Sequence, residues 1–432
     1  MEKQNCRFIF SLLLIAFSFF SVSAESNLKT KLEALSGVSE IEVLKSSQYS
    51  EKYTMMFEHP LDYKHPEAGK FHQRVIVCHA GYDRPTVIVT EGYWADYATR
   101  ENYVEELSRL LNTNVVCVEY RYFGKSMPNP CNWNYLTVEN SLNDLHQVRI
   151  ALKDIYPGKW IATGISKGGQ TTLFYRTYFP NDVDISVPYV APLNRSVEDG
   201  RHQPFIENKV STVQNRQKVK DFQLELLKRK SQLMPLFHKH CQEKKYEFRD
   251  SEENIYDYCV MEYAFGFWQW GTPLDKIPAL NASNEEIFNH FIAMIEPDYF
   301  SKQTPYTSFN VQAARELGYY GYDIKPFRKY MSLKNSKDYL RRLMLPDELK
   351  NIRFDNTLHK RVMKFIKNND PKMLFVYGGI DPWGASGCTW IKGKKNIKVY
   401  VQPDGSHRTR ILTMKPDVQK EIIDTLKFWL NN

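Results

Sequence analysis

The sequence predicts an α/β protein: a mainly parallel sheet of eight strands, helices on both faces, and a helical insertion. Three observations predict it. Short Val- and Ile-rich runs alternate with helix-periodic segments over residues 74–190, as in parallel strands joined by crossover helices. The alternation stops near residue 205 and resumes near 356, with mostly helical, aromatic-rich and charged sequence between. Gly164-Ile165-Ser166-Lys167-Gly168 stands between a strand-like run and a helix-prone run. That is the setting of a sharp strand-to-helix turn with an exposed serine at its tip.

The elements follow in chain order. Residues 1–24 read as an export signal: Lys3 and Arg7 precede the apolar run 8–20, and Val22-Ser23-Ala24 offers small residues for cleavage after Ala24. The run is short for a bilayer span, a retained anchor being the alternative. No later segment is apolar enough to span a membrane, so an exported, periplasmic or secreted chain is expected. Residues 74–78 and 86–90 are strands joined by a Gly/Asp/Pro turn. Residues 102–111 place Val104, Leu107, Leu110 and Leu111 on one helical face. A buried strand at 114–120, a helix at 137–155, the strand 160–163 feeding Ser166, a helix at 170–178 and a strand at 184–190 follow. After the insertion come strands at 372–377 and 397–401 and an amphipathic helix at 416–430. The mature chain thus divides into a core, 25–204 with 356–432, and a helical lid, 205–355.

Composition excludes some functions. With 432 residues, 42% hydrophobic and 25% charged, the chain has ordinary globular composition and room for a large core. Its net charge of +8 falls by one on signal cleavage and is dispersed. The densest basic stretch, 218–230, interleaves Val219, Phe222 and Leu226 at helical spacing. An amphipathic helix with a solvated face explains it, and no nucleic-acid partner is expected. Cys78, Cys117, Cys131, Cys241, Cys259 and Cys388 remain after cleavage. An exported protein can oxidise them, and Cys241 with Cys259 could close a local loop, but spacing does not reveal pairing. His238-Lys239-His240-Cys241 has no partner cluster at zinc-site spacing, so no metal is expected.

A serine is a weak nucleophile and needs a base, which needs an orienting acid. On an elbow-type sheet the chain order is serine, acid, histidine. Asp381 follows a late strand in Gly378-Gly379-Ile380-Asp381-Pro382-Trp383, and His407 follows the last strand in Pro403-Asp404-Gly405-Ser406-His407. Ser166, Asp381 and His407 are therefore the candidate catalytic residues, on an α/β-hydrolase fold. Asp404 and Asp199 compete as the acid, but Asp404 is so near His407 in sequence that it shapes the loop. His79, His146 and His202 follow no late strand. The oxyanion hole should use the backbone N–H of Lys167 and one from the loop at Gly92–Tyr93.

Glu119-Tyr120-Arg121-Tyr122-Phe123-Gly124-Lys125-Ser126-Met127-Pro128 resembles a segment of secreted proline-directed serine exopeptidases, the prolyl carboxypeptidase group. The elbow, Tyr189-Val190-Ala191-Pro192, the run from Glu262 to Gly271, and Glu316-Leu317-Gly318-Tyr319-Tyr320-Gly321 are more similar to bacterial secreted prolyl tri/tetrapeptidyl aminopeptidases. The resemblance covers nearly the whole mature chain. It implies an exopeptidase releasing short peptides from free N-termini, often after proline, with Ser166, Asp381 and His407 as its triad. One departure is Tyr120, where the carboxypeptidase pattern has histidine. Such an enzyme needs a carboxylate for the substrate's ammonium group, and Glu262 and Glu316 are the candidates; a structural ion pair is the alternative for each. Trp268, Trp270, Tyr319 and Tyr320 are candidate pocket walls for a proline ring, or lid core. No metal or organic cofactor is needed. The alternatives are an esterase or lipase with the same triad, and a non-catalytic binding protein on this scaffold, which usually lacks a triad member.

Overall fold

The runs richest in Val and Ile become the buried centre of one sheet. A computed structural model describes residues 27–432; the expected signal, 1–24, lies outside them. The strands are β1 (Val38–Val43), β2 (Glu51–Pro60), β3 (Lys70–His79), β4 (Thr86–Thr90), β5 (Asn114–Val118), β6 (Trp160–Ile165), β7 (Ile185–Tyr189), β8 (Met373–Gly378) and β9 (Ile397–Gln402). Their order is β1-β2-β3-β5-β4-β6-β7-β8-β9. From β5 to β9 every pairing is parallel, and β1, β2, β3 and β5 pair antiparallel. β4, β5, β7 and β8 are buried at every position, as strands covered on both faces must be.

One expectation changes. The sheet has nine strands, not eight. The strand pattern of β1 and β2 is obscured by their charged residues; β1 lies at the edge and is half exposed. The segments 74–78 and 86–90 are strands joined by a turn, as expected, yet they are not neighbours in the sheet. β5 inserts between them, antiparallel to β3 through Val75↔Val118 and parallel to β4 through Val87↔Val115.

The helices are α1 (Asn27–Glu33), α2 (Glu106–Leu111), α3 (Val138–Leu152), α4 (Lys167–Tyr178), α5 (His202–Asn208), α6 (Val213–Lys228), α7 (Lys230–Lys244), α8 (Glu252–Trp270), α9 (Asn284–Met294), α10 (Thr307–Gln312), α11 (Tyr339–Met344), α12 (Thr357–Asn368) and α13 (Pro416–Asn431). α3, α4 and α12 cover one sheet face through Leu145, Val148, Phe174, Val362 and Ile366. α13 covers the other with Ile422, Leu426 and Trp429. Between β7 and β8 the described elements are all helical. α8 runs through their core: Ser251 caps it by accepting from Asn254 N–H, and Gly271 (φ +65°) ends it. It is buried nearly all round, which accounts for its aromatic residues lying on every side.

Among the described residues all six cysteines are free thiols. Cys241 on α7 and Cys259 on α8 are buried as small apolar groups rather than joined. His238 pairs with Glu252 at 2.8 Å and His240 with Glu296 at 2.6 Å. No group of three metal-ligating side chains occurs among the described residues, and no helix there is long and apolar enough to cross a membrane.

Candidate active site

Ser166 lies between β6 and α4 with φ 59° and ψ −119°, a conformation that costs energy for a residue with a Cβ. The neighbours hold it there. Its N–H donates to Tyr189 O at 3.0 Å, and its carbonyl accepts from Gln170 N–H at 2.8 Å. The glycines allow the turn to close. A Cβ on Gly164 would stand 2.5 Å from both the carbonyl carbon and oxygen of Gly168. Those atoms are backbone and have little freedom to move. Gly164→Ala is therefore expected to cost about 1–3 kcal/mol, read as a lower midpoint in thermal unfolding, together with loss of activity.

Parallel β8 and β9, in register at Gly378↔Gln402, deliver the other two residues. Asp381 is fully buried just beyond β8. Its carboxylate accepts from Trp383 N–H at 3.1 Å and from His407 Nδ1 at 2.6 Å. An ionised carboxylate only accepts, so Nδ1 carries the proton of this bond, and a ring without a second proton has Nε2 free as an acceptor. The N–H of His407 donates to Gln269 O at 2.9 Å, which ties its loop to α8. Ser166 and His407 line one cavity of about 580 Å³.

Lys167 is buried, and its Nζ donates to Gly92 O at 2.8 Å. Burial lowers its pKa well below the ordinary lysine value, against the opposing pull of Glu91 and Glu316. Its backbone N–H is in the first turn of α4, where no intrahelical acceptor exists. Of the two loop candidates, Gly92 N–H is taken by Glu91 Oε2 at 3.3 Å. Tyr93 N–H has no acceptor among the described residues.

Glu262 projects from α8 into the same cavity. Tyr320 OH donates to its two oxygens at 2.8 and 2.9 Å, and Tyr322 OH donates at 2.6 Å. Burial pushes its carboxyl up to about 7, with the Tyr322 and Tyr320 hydroxyls drawing it back. Among the described residues no lysine, arginine or histidine stands within ion-pair distance of it.

Comparison with known proteins decides the family. The profile of the PS-10 peptidase S37 family matches residues 23–430. The chain belongs to that family. It is similar to the prolyl tri/tetrapeptidyl aminopeptidase of Streptomyces mobaraensis, 28% identical over 94% of this chain and 85% of that one. Solved structures with some likeness include a peroxisomal alpha-beta-hydrolase from Saccharomyces cerevisiae (11% identity, 90% of this chain and 91% of that one, TM-score 0.39). Another is a proline iminopeptidase from Mycobacterium smegmatis (10% identity, 91% and 98%, TM-score 0.36). This S37 peptidase is a serine peptidase with an α/β-hydrolase fold.

The peptidase does not gather every expected residue. Trp270, Tyr319 and Tyr320 line the cavity, and Trp270 meets the His407 ring edge-on at 6.0 Å. Trp268 does not line it: it faces a second cavity of about 510 Å³ with Met261, Ala264 and Phe265. Glu262, Gly266, Gln269 and Trp270 share one face of α8, and two residues of helix turn a side chain by about 200°, away from that face. Glu316 also lies elsewhere. Its carboxylate accepts from Val138 N–H at 2.7 Å at the start of α3, where a helix terminus offers free N–H groups. It lines a different, polar cleft. The competing acids are occupied or distant: Asp404 is exposed. Asp199 is held at about 2: burial raises it, but the Arg201 hydrogen bond and charge and the Arg195 N–H together outweigh that.

Several residues that matter here carry no motif of their own. Trp383, two residues past Asp381, packs on Tyr320 at 5.2 Å and lines the cavity. Tyr322 completes the cradle of Glu262. In the segment 119–128, Glu119 accepts from Ser126 N–H and Oγ and from Ala95 N–H at 3.0–3.1 Å, and from Arg74. Gly124 (φ +50°) keeps clear the space that a Cβ would take 2.6 Å from Glu119 Oε2. That buried knot anchors the loop carrying Gly92 and Tyr93. Arg121 pairs with Asp144 at 2.7 Å through both Nε and Nη2. The sequence signal for such a network is a pair of charges, Glu119 and Arg121, directly following the apolar run of β5.

Proposed function

We propose that this S37 peptidase is exported by cleavage after Ala24 and releases tri- or tetrapeptides, favouring proline, from free N-termini. Residues 25–204 and 356–432 would form the catalytic core and 205–355 the lid. Ser166 Oγ attacks the scissile carbonyl carbon while His407 Nε2 takes its proton. Asp381 holds the imidazole in the productive tautomer and stabilises its charged form. The N–H groups of Lys167 and Tyr93 receive the oxyanion. His407 then protonates the leaving amine, and water, activated the same way, releases the peptide from Ser166.

One observation carries the exopeptidase reading: a buried carboxylate without a cation, Glu262, in the cavity that Ser166 and His407 line. An α-ammonium group supplies the missing charge, and both lose water together. The spacing supports a short product. From Glu262 to Gln269, whose carbonyl holds the His407 loop, α8 rises about 10 Å. An extended peptide covers that in roughly three residues. Trp270, Trp383, Tyr319 and Tyr320 offer aromatic faces to a proline ring.

The test uses fluorogenic tripeptides ending in proline, with free or acetylated N-termini, on the mature protein and on Ser166→Ala. Only the free form should be cleaved, and Ser166→Ala should lower kcat by about 10⁶. Cleavage of both forms would remove the clamp and return the esterase or endopeptidase alternatives. Cleavage of neither by a folded protein would reject the proposed substrate class.

A further inference from the structure

The Gly92–Tyr93 peptide unit faces the buried lysine on one side and the cavity on the other. Its carbonyl accepts from Lys167 Nζ at 2.8 Å. A trans peptide is planar, with C=O and N–H directed to opposite sides. A bond that fixes the carbonyl therefore fixes the direction of Tyr93 N–H. That N–H has no acceptor among the described residues, and Tyr93 lines the cavity with Ser166. The following carbonyl, Tyr93 O, is held by Tyr120 N–H at 3.1 Å.

The lysine has little room to do anything else. Its Nζ stands 3.1 Å from the centroid of the Tyr120 ring, with the Phe123 and Tyr93 rings at 5.4 and 5.6 Å. A Cβ on Gly92 would lie 2.7 Å from Lys167 Cβ, so loop and lysine stem are in close contact. Burial keeps water from competing for the Gly92 carbonyl. A donor on that carbonyl also polarises the amide and strengthens its N–H as a donor.

We propose that the Lys167 side chain is a positioning residue for the oxyanion hole, orienting and polarising the Gly92–Tyr93 peptide so that Tyr93 N–H points at the developing oxyanion. Lys167 thereby serves the hole twice, once through its own backbone N–H and once through its ammonium or amine group. This rests on Ser166 being the nucleophile.

Lys167→Met keeps the unbranched stem as far as the Cε position and the backbone donor but removes the bond to Gly92 O. Four quantities are compared with the parent: kcat, KM, the affinity of a peptide aldehyde that forms a hemiacetal with the serine, and the affinity of the product peptide. Expected is a fall of roughly 10–100-fold in kcat and an equal loss of aldehyde affinity, short of the loss on deleting a donor outright. KM and product affinity should stay within about twofold. Unchanged kcat and aldehyde affinity in folded protein overturns the proposal, and so does equal weakening of aldehyde and product. If Lys167→Met does not fold, Lys167→Leu, which carries no donor, is read the same way. Failure of both to fold assigns Lys167 to packing and also overturns it. Fluorophosphonate labelling separates the two readings. Parent protein unlabelled at Ser166 rejects the nucleophile; labelled parent with a kinetically silent Lys167→Met rejects only the present inference.

Discussion

Asp381→Asn is expected to lower kcat by about 10⁴ while leaving KM and the folded state nearly unchanged. The reason is the tautomer. Asp381 accepts from His407 Nδ1 at 2.6 Å with one oxygen and from Trp383 N–H at 3.1 Å with the other. In the variant the remaining oxygen keeps the Trp383 bond, so an NH2 group faces Nδ1. Nδ1 must then accept, and the ring proton moves to Nε2, the nitrogen that faces the cavity. That nitrogen could then not take the proton that the proposed mechanism moves from Ser166. Steady-state kinetics with circular dichroism and a thermal melt check this. A loss below about tenfold in a folded variant would mean that some other group sets the imidazole tautomer.

The second large effect has opposite signs for binding and stability. Glu262→Gln should raise KM for free N-terminal peptides by about 10–100-fold, the scale of a lost buried charge partner, and leave poor acetylated substrates as poor as before. In the parent, KM for the free peptide should fall as pH rises through about 7, because the carboxylate forms there. It should rise again as the substrate amine loses its proton near about 8.

The stability sign follows from proton counting. The folded-state value, about 7, exceeds the ordinary 4.5. Between those values the folded chain holds a proton that the unfolded chain has released, so stability falls as pH rises through this window. The full penalty, at most about 3 kcal/mol, is present above pH 7. Glutamine does not ionise and escapes it. Glu262→Gln should therefore resist urea better than the parent at pH 8 but not at pH 4. Equal stabilities at both values would show that the carboxylate is better solvated than its burial implies. Stability given up at a carboxylate is the trade expected if Glu262 is the proposed binding group.

The legible parts of this protein are those that short stretches of sequence encode. β4, β5 and β8 read as strands because a strand covered on both faces is apolar along nearly its whole length. The turn at Ser166 is legible because Gly164 and Gly168 leave the backbone room to cross itself. Asp381 and His407 are legible because each follows a strand that can only run parallel to its predecessor, which carries both loops to one end of the sheet. β1 escapes notice because an edge strand open to water carries charges, and β2 because Glu51, Lys52 and Glu58 interrupt its largely buried run. The insertion of β5 between β3 and β4 is invisible in the sequence because a turn constrains direction, not adjacency.

The glutamates show where local pattern ends. Glu262 and Glu316 both stand in aromatic motifs, and nothing in either motif distinguishes them. Packing of α8 turns Glu262 toward Ser166 and Trp268 away from it. Docking of residues 313–317 beside the start of α3 leaves Glu316 on a backbone N–H. Likewise, the sequence marks Lys167 only as the residue after a serine, and nothing local says that its amine reaches back to Gly92.

By itself the sequence determined the strand–helix order and the places of Ser166, Asp381 and His407 just beyond strand ends, because backbone period and turn chemistry are properties of neighbouring residues. Tertiary structure alone decided which carboxylate faces the cavity, which N–H of the 91–94 loop is left free, and where the Lys167 amine binds. Those outcomes depend on contacts between segments from 58 to 178 residues apart, such as Tyr320 with Glu262, Lys167 with Gly92 and Val138 with Glu316, and no local pattern records which face of one element meets another.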